Sequence, residues 1–150
     1  MPVRPILLAA CLVAAPLGAT ACAWQPPLDL TAAPLAQAVF VGRLVGYDPQ
    51  LMPGNPGVVT QAIATFDVVE VLSGSVPPRV SVLMPDRLTA LPDHWLWDET
   101  VIVAVLPAGS AADIAPDLPV LLHPTCGTPF LAPADAATRD RIVAILRAGG

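Results

Sequence analysis

The side chains that could bind a metal or attack a substrate are few in this chain. His123 and Cys126 lie three residues apart, a spacing that a zinc site or a cysteine–histidine nucleophile pair could use. Zinc needs further ligands, and the chain has 2 histidines and 3 cysteines in all. A nucleophilic thiol would have to stay reduced, which the exported compartment inferred below disfavours. We therefore expect no metal and no cofactor.

The acidic residues form two groupings that could do glycosidase chemistry, in which paired carboxylates act as acid and nucleophile. One is Asp98 with Glu99 and the other is Asp113 with Asp117. Both lie in predicted turns or loops, where carboxylates are ordinarily solvated surface charges. The chain also has no Gly-x-Ser-x-Gly elbow, glycine-rich phosphate loop or His-Glu-x-x-His motif. The sequence thus predicts a non-enzymatic protein.

The charge balance excludes several classes of partner. All 7 basic residues are arginine, and against 12 acidic residues they leave a net charge of −5. Such a chain is unsuited to binding nucleic acid or an anionic membrane surface. The absence of lysine also excludes Schiff-base chemistry and a P-loop.

Residues 1–21 are predicted to be a secretory signal peptide. Arg4 supplies the basic start, and Ile6–Ala15 forms an apolar run that is too short to span a bilayer. Ala19-Thr20-Ala21 offers small residues at the cleavage site, and an uncleaved anchor or a core helix is the alternative. Cleavage leaves residues 22–150 as a single domain, either secreted or periplasmic. We expect no transmembrane helix in it, because no later segment reaches the required length without proline or charge.

Two cysteines remain after cleavage, and two interpretations of them exclude each other. Cys22 and Cys126 could form the single possible disulfide, which persists in an oxidising compartment. Alternatively, Cys22 could be a lipidated N-terminus that anchors an envelope lipoprotein. A lipoprotein signal normally has a leucine-like residue three positions earlier, where this chain has Ala19.

The 19 prolines favour many short segments over long helices. Alternating apolar residues predict five strands, and a period of about 3.6 predicts one C-terminal helix started by Pro133. A turn of helix over Ala32–Ala38, capped by Thr31, is also expected, and turn residues predict a loop over Pro49–Gly57. The predicted elements are Val39–Tyr47, Val58–Leu72, Arg79–Met84, Thr100–Leu106, Pro119–His123 and the helix Pro133–Ala148.

The apolar pattern within the first two strands indicates how the sheet curves. In the first, Val39 and Tyr47 fall on the face opposite Phe40. In the second, the apolar phase slips by one residue between Val68 and Val69, which is typical of a β-bulge. Bulged strands suit small closed barrels. We therefore expect a mainly β, five-stranded, OB-like Greek-key barrel with a C-terminal α-helix, and a β-sandwich is the alternative.

Several blocks of the chain match, in order and spacing, the pattern of a known family. They are Cys22–Pro27, Ala36–Leu44, Ala64–Gly74, Trp97–Val103 and Thr125–Pro129. On these blocks the chain resembles the netrin-like superfamily, in particular bacterial relatives of the tissue inhibitors of metalloproteinases. The resemblance implies the same five-stranded barrel.

The resemblance also carries expectations about the cysteines. The family often begins Cys-x-Cys and has two disulfides, whereas this chain has Thr20 at the first position if Cys22 matches the second. The resemblance then implies that the surviving disulfide is Cys22–Cys126. In the animal inhibitors the first cysteine chelates the zinc of the protease, and that role does not transfer to Cys22 under this alignment.

In the inhibitor-like proteins the N-terminal arm and the loops beside it form the contact ridge. By that resemblance we expect Trp24, together with Gly127 and Thr128, to form a partner-binding face, and Trp24 could instead plug the barrel end. The predicted function is an exported, non-enzymatic domain that binds a protein or an envelope ligand. The alternatives are a metalloprotease inhibitor acting through Cys22 and a lipid-anchored envelope lipoprotein.

Overall fold

A computed structural model describes residues 27–52, 55–85, 99–111, 113–124 and 127–149. The predicted signal peptide 1–21 and the residues Cys22, Trp24 and Cys126 lie outside these ranges. The elements in chain order are a 3₁₀ helix Leu30–Leu35, β1 Ala38–Met52, β2 Asn55–Ser73, β3 Arg79–Pro85, β4 Thr100–Leu106, β5 Val120–Leu121, β6 Leu131–Pro133 and α1 Ala136–Gly149.

The strands close into a barrel. The order is β1-β2-β3-β5-β4, and β1 pairs back with β4. The β3–β5 pair is parallel, whereas the other pairs are antiparallel. This is the OB-like Greek-key barrel with a C-terminal helix that the sequence predicts, and closure through β1 and β4 excludes the β-sandwich.

The fifth position of the barrel is shared by β5 and β6, which follow each other along the same edge of β4. Leu122 N donates to Ala104 O (2.8 Å), and Phe130 N donates to Leu122 O (2.8 Å). The chain therefore leaves this edge after Leu122 and returns to it at Phe130. The sequence does not reveal β6, because three residues are too few to establish an alternating pattern.

Bulges curve the long β1–β2 ribbon. Glu70 pairs with Val41 and Val68 pairs with Gly42, so Val69 is the extra residue. This confirms the bulge predicted from the phase change in β2. A second shift between Leu44 and Gly46 moves the later residues of β1 by one position.

The shift in β1 corrects one prediction about side-chain faces. Tyr47 packs against the interior cluster, on the side of Phe40 rather than of Val39. The sequence predicts the opposite face because simple alternation does not register the extra residue, Val45.

The β1–β2 ribbon also extends into the predicted loop Pro49–Gly57. Pro49 pairs with Ala62, whereas the pairing of β1 with β4 ends at Arg43↔Thr100. Beyond Arg43, the only described strand that pairs with β1 is β2, and a strand edge without a partner can accommodate a proline.

The apolar residues form two clusters. The barrel interior holds Phe40 and Phe66, whose rings meet edge to face at 6.1 Å. Phe66 and Val82 are buried, as predicted. The second cluster lies on the outer faces of β1 and β4, under the 3₁₀ helix and α1, and includes Phe130 and Ile142. Because β4 faces both clusters, its five central residues are all buried.

The helix α1 begins at Ala136, three residues later than the sequence predicts. Asp135 is its cap, since Asp135 Oδ1 accepts from Thr138 N at 2.9 Å, while Pro133 belongs to β6. Arg139 donates through two nitrogens to the carboxylate of Glu70. This pair links the helix to β2.

Candidate functional site

A cleft of about 470 Å³ opens where the 3₁₀ helix meets the loop between β5 and β6. Its two walls come from distant parts of the chain, one at the N-terminal side of the barrel and one near its C-terminal end. The lining residues are Pro27, Asp29, Thr31, Ala32, Leu35, Pro124, Gly127 and Thr128.

The first wall is held in place by the cap of the 3₁₀ helix. Asp29 Oδ1 accepts from Thr31 N at 2.9 Å and from Thr31 Oγ1 at 2.6 Å. Both bonds lower the pKa of Asp29, and the side-chain bond has the larger effect. Ala32 and Ala33 are buried in the outer cluster, which leaves Leu35 71% exposed. The predicted cap, Thr31, is instead the donor to the true cap, Asp29.

The second wall is a tight turn that requires glycine. Gly127 N donates to Pro124 O at 2.7 Å. A Cβ atom at Gly127 would lie 2.8 Å from Pro124 Cβ, which is closer than side chains ordinarily approach. The small residue therefore allows the turn that forms this wall to close.

The described lining of the cleft carries little charge. Asp29 is the one ionisable side chain among the described lining residues, and its carboxylate is engaged by Thr31. Across the ranges that the structure describes, no three His, Cys, Asp or Glu side chains are grouped as a metal site requires. The remaining lining is proline, small residues and the exposed Leu35.

The structure places two of the predicted partner-binding residues in this cleft. Gly127 and Thr128 line it together with Pro27, which is the first described residue after the N-terminal arm. Trp24, the third predicted residue, lies outside the described residues, as do both cysteines of the predicted disulfide.

Sequence reasoning missed Leu35 and Pro124. The position of Leu35 in the helix would have indicated its exposure, because Leu35 ends a short helix whose buried face is formed by alanines. Using this indication requires the helix bounds, and the predicted helix starts two residues too late.

The acidic groupings considered for catalysis are exposed where the structure describes them. Asp113 and Asp117 are exposed in the loop between β4 and β5. Glu99 is exposed directly before β4, and Asp98 lies outside the described residues.

No family model matches the chain, and a search of curated proteins gives no match. Among the described residues, no helix is both long and apolar enough to cross a membrane.

Proposed function

We propose that this protein is an exported, non-enzymatic binding domain whose partner docks in the cleft between the 3₁₀ helix and the wall that Pro124, Gly127 and Thr128 form. The observation that carries the proposal is that one cleft contains an exposed leucine on an anchored helix and, beside it, a recess lined by small residues. Leu35 is 71% exposed on a helix anchored by two buried alanines. Opposite it, Gly127 and Thr128 line the cleft. An anchored apolar residue loses little conformational entropy on docking.

A Cys22–Cys126 disulfide would complete this site, and the position of the neighbouring residues supports proposing it. Cys126 directly precedes Gly127, and Cys22 precedes Pro27 by five residues. Because Pro27 and Gly127 line one cleft, a bond between the two cysteines would fix the arm containing Trp24 beside the site. In the chain-entropy model, closing a loop of about a hundred residues stabilises the fold by up to ~4–5 kcal/mol.

The partner site is tested with two matched surface variants. Leu35→Asp changes the cleft, and Ile114→Asp makes a comparable change at a 56% exposed residue outside its lining. Partners captured from envelope extract by the wild type are identified, and their affinities for all three proteins are measured by calorimetry. We expect Leu35→Asp to weaken binding at least tenfold and Ile114→Asp to leave it unchanged, with equal melting temperatures. Equal affinities for the two variants would remove the cleft from the proposed function.

The same assay assigns the role of Trp24. If the arm contributes to the face, Trp24→Ala lowers partner affinity while the melting temperature stays unchanged. Lost stability with retained binding would assign Trp24 to the packing of the barrel end instead.

Export and the fate of Cys22 are measured by intact-mass spectrometry of the processed protein with and without reductant. We expect a chain that starts at Cys22 and gains two hydrogens on reduction, or one that starts at Trp24 if cleavage uses Ala21-Cys22-Ala23 instead. A start at Met1 would contradict the signal peptide, a lipid-sized mass increment would establish the lipoprotein alternative, and two free thiols would disprove the disulfide.

A further inference from the structure

A second cleft, of about 480 Å³, lies where β3 and β5 separate. β3 pairs with β2 along its whole length, but its pairing with β5 consists of Leu83↔Val120. The cleft occupies the space between the first half of β3 and the chain that leads into β5. Its facing walls include Arg79, Val80 and Ser81 on one side and Asp117, Leu118 and Pro119 on the other.

The first half of β3 directs backbone hydrogen-bonding groups toward this cleft. Leu83 N donates to Pro119 O at 2.9 Å, so the backbone groups of Leu83 face β5. The β2–β3 register has no shift between Arg79 and Leu83. Since backbone direction alternates along an antiparallel strand, Arg79 and Ser81 share the direction of Leu83. Within the described ranges, no backbone bond from β5 reaches either residue.

The side chains around this free edge define the charge of a fitting ligand. Arg79 is already neutralised, because its Nε and Nη2 donate to the Asp67 carboxylate at 2.6 and 3.1 Å. Asp117 has no such ion pair among the described residues. Leu118 and Pro107 add apolar surface, while the side chain of Val80 is buried in the barrel interior. The cleft thus presents a backbone edge, apolar surface and, among the described residues, one negative charge without an ion pair.

We propose that this cleft binds an extended peptide segment of a partner protein that carries a basic side chain. The segment adds to the free edge of β3 as a short strand, and its backbone supplies the alternating donors and acceptors that the edge requires. Arg79 and Ser81 are separated by about 7 Å along the strand, which admits two residues of backbone pairing. The basic side chain pairs with Asp117. This site is independent of the cleft at Gly127 and of the proposed function.

The test uses one capped peptide, acetyl-Val-Thr-Lys-Val-Thr-Val-amide, titrated into isotope-labelled protein by NMR. Its matched control has alternate amides N-methylated, which removes the pairing N–H groups. A second control has glutamate in place of lysine. We expect the N-methylated peptide to bind at least tenfold more weakly and the glutamate peptide severalfold more weakly. The amide signals of residues 79–83 should shift with the first peptide.

Two protein variants isolate the edge. Ser81→Pro removes the N–H that faces the cleft and leaves every bond to β2 in place. A strand accommodates proline at such a position, where the lost N–H points away from the paired strand. Ser81→Ala keeps that N–H, and both variants lose the 3.0 Å contact of the Ser81 hydroxyl with Thr65. We expect Ser81→Ala to bind the peptide within twofold of the wild type and Ser81→Pro at least tenfold more weakly.

Three outcomes would overturn the proposal. The first is equal affinity of the wild-type protein for the N-methylated and unmodified peptides. This comparison does not depend on whether Ser81→Pro folds. The second is an absence of shifts at residues 79–83 at millimolar peptide. The third is self-association of the free protein that Ser81→Pro abolishes, which would assign the edge to a second copy of this chain.

Discussion

The two apolar clusters of the domain are built from the chain in different ways. The interior cluster takes almost all of its residues from strands, in which every second side chain points inward. The outer cluster is assembled from separate segments, among them the 3₁₀ helix, the residues around Phe130 and the fully buried Ile142 of α1. The interior is therefore specified by local alternation, whereas the outer layer exists only after the barrel has brought those segments together.

This difference also separates the two layers in function. The interior holds the barrel closed, while the outer layer positions both walls of the cleft at Gly127. The 3₁₀ helix is attached through Ala32 and Ala33, and the loop is attached through Leu122 and Phe130, all four of which belong to the outer cluster. A change in the outer layer should therefore affect the cleft before it affects the barrel.

The largest effect is expected in the interior. Phe66 is 1% exposed and packs edge to face on Phe40, so Phe66→Ala leaves a cavity inside a closed barrel that cannot collapse to fill it. We expect a loss of about 3–5 kcal/mol in the free energy of unfolding, measured by urea denaturation. Val82→Ala, on the neighbouring strand, should cost less. Wild-type-like unfolding of Phe66→Ala would contradict the register of β2.

The next effect is expected in the outer layer. Ile142 is fully buried between α1 and the barrel, and Ile142→Ala should cost about 2–4 kcal/mol. Hydrogen exchange distinguishes the layers here, because α1 amides should exchange faster while β2 and β3 amides keep their protection. A uniform change across helix and barrel would show that the two clusters unfold as one unit.

The sequence predicts the interior well and the outer layer poorly, for one physical reason. Strand alternation is local, so Phe66, Val82 and the bulge at Val69 can be predicted directly from neighbouring residues. Ala33 and Phe130 belong to one cluster although no periodicity connects them. The alternation fails even within a strand at Val45, since an extra residue there reverses every later face.

The candidate site follows the same rule. The prediction that Gly127 and Thr128 lie beside the arm rests on the resemblance to the inhibitor-like proteins and not on a local pattern in the sequence. Leu35 was missed, because its exposure depends on where the short helix begins. The free edge of β3 cannot be predicted from residue types at all, since it depends on how little of β5 pairs with it.

A smaller effect is expected at the cap of α1. Asp135 accepts hydrogen bonds from the backbone and side chain of Thr138 at 2.9 and 2.7 Å. Both bonds lower the pKa of Asp135, and the backbone bond has the larger effect. Asp135→Ala should lower Tm by about 2–6 °C, as measured by calorimetry. Asp140→Ala removes the same charge from the same region without removing a cap and should change Tm little. Equal shifts would attribute the effect to charge alone.

The smallest effect is expected at the ion pair between the layers, Glu70 with Arg139. The side chains are 40% and 38% exposed, so solvent screens the pair, and Glu70→Gln should lower Tm by no more than about 4 °C. The hydrogen bond from Arg139 lowers the pKa of Glu70 below its ordinary value. The contribution of the pair is therefore complete above the ordinary pKa of a glutamate and is lost as pH falls through the lowered pKa.

A second ion pair, which joins Asp67 and Arg79 on neighbouring strands, is the control for the Glu70–Arg139 pair. The hydrogen bond from Arg79 is the main cause of the lowered pKa of Asp67. Asp67 and Arg79 lie on the adjacent strands β2 and β3, so this pair does not involve α1. Asp67→Asn should therefore leave hydrogen exchange in α1 unchanged at neutral pH, whereas Glu70→Gln should speed it.

The pH dependence of exchange in α1 then shows how Glu70 acts. Below its lowered pKa, Glu70 of the wild type is protonated and uncharged, and it has nearly the shape of the glutamine that replaces it in Glu70→Gln. Wild type and variant should therefore show the same α1 exchange at that pH, although they differ at neutral pH. A difference that persists below the lowered pKa would show that the glutamate acts through packing or hydrogen-bond geometry rather than through its charge, and the link between helix and barrel would then be insensitive to pH.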